Sequence, residues 1–132
     1  MKMILLSIVL LNATSSFAIM APTGEYVEMT CVSVEKNRAF TVNLMRVAEN
    51  DDLKLVLNAK GQAPRSYVNV NEQVSDRIGA PVTYSARVPG GMVKLEVNFT
   101  TSPSPKGRKG LFVSQVYGKA TKTQLLCNTI NY

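Results

Sequence analysis

Few residues in this chain can do chemistry. Histidine is absent. That removes Ser-His-Asp and Cys-His catalysis, His-ligated zinc and the commonest general base. The two cysteines, Cys31 and Cys127, are too few for a thiolate zinc set. There is no glycine-rich phosphate loop of the Walker or dinucleotide type. A pair of carboxylates could still support glycoside hydrolysis, but the nine acidic residues are scattered and none sits in a motif. Glu49-Asn50-Asp51-Asp52 could offer oxygens to calcium. The spacing is not that of an EF-hand loop, and a solvated hairpin turn accounts for it better, because Asn and Asp hydrogen-bond their own backbone. No catalytic residue, cofactor or metal ligand is therefore assigned.

The densest positive cluster is Lys106, Arg108 and Lys109, in the Pro/Gly-rich stretch 101–110. Such a cluster can contact an anionic partner: an envelope polysaccharide, lipid head groups or an acidic protein face. Its plainer role is to keep a loop solvated. The formal charge of +6 is modest and does not call for nucleic acid as a partner. Asn98-Phe99-Thr100 fits a glycosylation sequon, which has no meaning if the export signal is bacterial.

That signal is the clearest targeting feature. Lys2 gives a basic start, Ile4 to Leu11 a short apolar run, and Ser16-Phe17-Ala18 small residues at the positions a peptidase reads. The run is far short of the ~20 residues that cross a bilayer as a helix, and no later segment is long and apolar enough. We expect residues 1–18 to be a signal peptide cleaved after Ala18, and 19–132 to be one domain in the periplasm or outside the cell. In an oxidising compartment two cysteines near the ends of a domain are expected to pair. A Cys31–Cys127 bridge would restrict the unfolded chain by roughly 4–5 kcal/mol in the loop-entropy model.

The elements that must position these residues read as strands. Period-two alternation marks 26–34, with Val27, Met29 and Cys31 assigned to one face. Phe40, Val42 and Leu44 continue it, and Leu53, Leu55 and Leu57 resume it after the 48–52 turn. A short piece follows at 67–70. Residues 71–78 fit one or two helical turns as well as a loop. Val82 to Val88 and Val93 to Phe99 flank Pro89-Gly90-Gly91, the strongest hairpin signal. Residues 101–110 are unlike a strand; 111–117 and 123–132 complete the series.

Seven to eight short strands with no long helix predict a small antiparallel β-barrel, or a β-sandwich, closed by one disulfide. Barrel closure would make the first and last strands neighbours. The functional expectation is an exported soluble binding module, an inhibitor or an envelope-associated partner protein, working through loops on a rigid scaffold. A very small outer-membrane β-barrel is the alternative, since alternation reads alike in both; a hydrolase using paired carboxylates is the third.

Overall fold

The computed structural model describes residues 24–36, 39–99 and 107–130. The expected signal segment, 1–18, and Lys106 lie outside the described residues. Nine strands make up the described chain: β1 (Glu25–Ser33), β2 (Phe40–Val47), β3 (Leu53–Ala59), β4 (Arg65–Tyr67), β5 (Asn71–Gln73), β6 (Val82–Val88), β7 (Gly91–Val97), β8 (Arg108–Val116) and β9 (Lys119–Thr129). All pair antiparallel in a single sheet of order β4-β3-β2-β1-β9-β8-β7-β6-β5.

The two edges of this sheet, β4 and β5, are consecutive in sequence and separated only by residues 68–70. A link of that length spans at most roughly 14 Å, so the sheet must curl until its edges approach. β4 runs antiparallel to β3, and β5 antiparallel to β6. One segment, 65–73, thus serves first one edge and then the other, and β4 also touches β6. No ladder joins β4 to β5 among the described residues, which leaves a curled half-barrel with a seam.

Alternation places the core inside the curl. Met29, Cys31, Val42, Leu44, Leu55, Leu95, Val97, Leu125 and Cys127 are at most 2% exposed. They form one cluster with Tyr84, Val93 and Phe112, against which Phe40, Leu57 and Tyr67 pack. The intervening positions, such as Asn43, Lys54, Lys94, Glu96 and Gln124, face outward on the partly exposed surface.

Local chemistry sets the hairpins. Val88 pairs Gly91 across Pro89-Gly90, where Pro supplies the first turn dihedral and Gly90 takes φ of 83°. Val116 pairs Lys119 across Tyr117-Gly118, both at positive φ, the tight-turn geometry whose twist matches the strands. In the β2–β3 turn Asp51 is at positive φ and the Asn50 side chain accepts from the Asp52 N–H.

Cys31 and Cys127 are direct cross-strand partners and are bridged, their α-carbons 3.9 Å apart. The first and last long strands are therefore neighbours, the barrel form of the expectation. Gly110 on β8 faces this bridge: a β-carbon there would lie 2.7 Å from the Cys127 sulfur.

Four expectations are corrected. Val27 does not share the face of Met29 and Cys31, because the register shifts between Val27 and Met29. Tyr26 pairs Arg46 and Met29 pairs Leu44, so the bulge inserts Glu28 and restores the inward face one residue late. Residues 71–78 hold no helix; 71–73 is β5, held by β6. The short piece expected at 67–70 is β4, at 65–67. Finally, Arg108 and Lys109 are not in a loop. β8 begins at Arg108, which pairs Cys127, because the eleven-residue β9 offers a partner that overrides the local Pro/Gly composition.

Candidate functional site

The two ends of the curl are chemically different. At one end Arg46, the inward successor of Val42 and Leu44 on β2, meets three carboxylates. Its Nε and Nη2 donate to both oxygens of Glu28, at 2.5 and 3.1 Å. Asp51 lies 3.7 Å from Nη1, and Glu72 3.9 Å from Nη2. Glu28 reaches inward only because of the bulge, and Glu72 sits on β5, at the opposite edge of the sheet. Glu72 also lies close to the phenol of Tyr84, which is 3% exposed. Desolvation, then the charges of Glu72 and Glu28, push the Tyr84 phenol well above its ordinary value. The hydrogen bond to Glu28 raises the Arg46 guanidinium likewise. The Val70 N–H bonds the Leu53 carbonyl beside this cluster. Carboxylates held to one cation in this way tie the β5 edge to β1 and β2 as a structural clasp.

The other end is open. A cavity of about 690 Å³ is bounded by Phe40, Leu57, Tyr67 and Phe112, by the hydroxyls of Ser114, Thr121 and Thr123, and by Lys36, Lys60 and Arg65 at its rim. Phe40 and Phe112 meet edge-to-face with centroids 5.9 Å apart. A second, lateral cavity of about 940 Å³ follows the seam between β4 and β6–β8. Arg65, Tyr67 and Ser114 line both, so the two adjoin. Arg65 and Tyr67 point toward the interior side because they pair Leu57 and Leu55 of β3.

Neither cavity has a carboxylate in its lining, although cations from five positions (Lys36, Lys60, Arg65, Arg87 and Lys94) enter one or the other. Lys94 is paired with Glu96 at 3.5 Å; the other four form no ion pair among the described residues. The acidic groups Glu25, Glu28, Glu49, Asp51 and Glu72 instead gather at the clasp end, with Glu25 on Lys54 and Glu49 accepting from the Gly24 N–H.

The residues singled out from sequence are placed as follows. Cys31 and Cys127 are the disulfide. Arg108 stacks over Phe99, 5.3 Å from the ring centroid, and donates to the Phe99 carbonyl at 3.1 Å. Its charge is thus partly committed to the protein. Lys109 is exposed on the outward face, beside Leu126. The Asp51 carboxylate of the suspected calcium turn is turned to Arg46, and no group of three metal-ligating side chains occurs among the described residues. Arg65, Tyr67, Phe40 and Phe112 were not singled out. Arg46 had a readable signal, a charge on the apolar parity of β2; Arg65 had none, since its segment reads as a loop.

Fold and cavity together define a class: a disulfide-bridged, all-β half-barrel with one clasped and one open end. No protein-family model, curated protein or solved structure matches the chain.

Proposed function

We propose that this protein is an exported, non-enzymatic binding module that takes its ligand at the open end of the half-barrel and along the adjoining seam. One observation carries this reading: the concave mouth built on Phe40, Leu57, Arg65, Tyr67, Phe112 and Ser114, with the seam cavity adjoining it at Arg65, Tyr67 and Ser114. Its two parts fall in the volume range of small-ligand sites, which favour barrel mouths. Aromatic side chains with a few hydroxyls and cations suit binding; nothing in that lining forms a nucleophile–base pair. The outward-facing Lys54, Glu96 and Gln124 favour an aqueous exterior over the lipid-facing apolar band of a membrane barrel. The buried disulfide suits an oxidising compartment.

Amide NMR of the oxidised domain, titrated with a library of small fragments, tests the site. Shifts should cluster at Phe40, Leu57, Arg65, Tyr67, Phe112 and Ser114. Shifts confined to the outward face of β8 and β9 around Lys109 would overturn the mouth as the site and return recognition to the basic segment. Export is tested separately: mass spectrometry of the native exported fraction should show Ile19 as the first residue, and an intact Met1 would refute it.

A further inference from the structure

Resting on that reading, we infer that the open end binds a single-chain anionic amphiphile: a carboxylate head on an aliphatic tail. The mouth complements such a ligand at a single cavity. Its floor is apolar, made by the edge-to-face pair Phe40 and Phe112 with Leu57 and Tyr67. Its rim carries Lys36, Lys60 and Arg65, with no acidic residue in the lining and no ion pair to any of the three among the described residues. An alkyl tail gains by leaving water against such a floor. A neutral ligand would leave the rim charges unused, and a cationic one would be repelled by them.

Arg65 is the specific anchor. It sits on β4, a three-residue edge strand, and lines both the mouth and the seam. A guanidinium there can meet a carboxylate with two parallel hydrogen bonds, which a lysine cannot. Its donors have no acidic partner to displace. The segregation of charge supports the same ligand from the other side. Glu25, Glu28, Asp51 and Glu72 are held at the far end by Arg46 and Lys54, and Glu35, beside Lys36 in the chain, is turned to the Gln124 N–H. An anion at the mouth therefore meets three cations with no carboxylate in the lining. Ser114, Thr121 and Thr123 can donate to the second oxygen of the head group.

The experiment uses the oxidised domain and monomeric probes below their micelle concentrations: octanoate, decanoate, butyrate and decyl maltoside, followed by titration calorimetry and amide NMR. Decanoate should bind more tightly than octanoate, by roughly fourfold per methylene, and butyrate should not bind measurably. Arg65→Gln should weaken decanoate about tenfold while leaving decyl maltoside unchanged. Lys36→Gln with Lys60→Gln provides a second variant set, expected to weaken decanoate in the same direction. Lys109→Gln, outside the mouth, should have no effect. If decyl maltoside binds at the mouth as tightly as decanoate, and Arg65→Gln changes neither, the anionic class is refuted while the mouth stands as the site. If none of the tailed probes perturbs the mouth, the binding-site reading falls with it. Binding to anionic phosphatidylglycerol vesicles without binding of monomeric decanoate would also overturn the inference, in favour of a membrane surface.

Discussion

Removing the disulfide is the perturbation with the largest expected effect on this fold. Cys31 and Cys127 are separated by 96 positions, so the bond closes nearly the whole described chain into one loop. In the loop-entropy model a loop of that size lowers the entropy of the unfolded state by the equivalent of about 4.7 kcal/mol at 25 °C. The native state loses less. β1 and β9 remain paired from Met29–Thr129 to Ser33–Leu125, and Met29 and Leu125 stay in the core. Cys31→Ala with Cys127→Ala should therefore leave the far-UV spectrum dominated by strand. At about 4 °C per kcal/mol for a domain of this size, the unfolding midpoint should fall by roughly 15–20 °C. The urea slope should rise as well, because an unbridged unfolded chain exposes more surface. Urea and thermal unfolding of the oxidised and double-alanine domains measure both. A midpoint lowered by less than about 4 °C with an unchanged slope would refute the loop-closure argument. It would leave the bond as a local cross-strand contact. Loss of strand signal would refute the other half, by showing that β1 and β9 depend on the bond to pair.

The remaining predictions concern single side chains. Gly110→Ala should cost about 1–3 kcal/mol by overpacking, since its β-carbon would lie 2.7 Å from the Cys127 sulfur; in the double-alanine background the cost should largely vanish, and an equal cost in both would show that the bridge is not what it meets. The Tyr84 phenol keeps its proton to higher pH in the folded state than in the unfolded one. The sign follows: its contribution is full below about pH 10, the ordinary phenol value, and is lost as the pH rises beyond it. Tyr84→Phe should flatten the alkaline fall in urea midpoint while costing about 1 kcal/mol at neutral pH for the lost polar contact of the phenol, and an unchanged alkaline profile would show that another group governs it. Arg108→Gln should lower stability by about 1 kcal/mol through the lost contact with Phe99, whereas exposed Lys109→Gln should stay within about 0.5 kcal/mol; equal effects would contradict the different placement of these neighbours.

Alternation in the sequence was enough to determine the strand class, the inward set Val42, Leu44, Leu55 and Leu95, and the Pro89-Gly90 and 48–52 turns, because each depends on side-chain period or on turn residues close in the chain. Charge count and the absence of histidine likewise bounded the chemistry locally. The pairing of Cys31 with Cys127 could be argued from compartment and number, but its cross-strand form depends on register, and register is decided by partners far away. Tertiary pairing drew Arg108 and Lys109 into β8 against their Pro/Gly-rich context, and it moved the short piece read at 67–70 to 65–67 and split 65–73 between β3 and β6. The bulge at Glu28 belongs here too: one extra residue is invisible in a single strand and appears only against β2. It decides which side Glu28 faces, and so whether Arg46 finds a partner. The open end was least legible. Its residues come from β2, β3, β4, β8 and β9, each unexceptional where it stands, and they become a cavity only when the sheet curls. The curl itself follows from a three-residue link between the two edges of the sheet, a constraint with meaning only once the strand order is known.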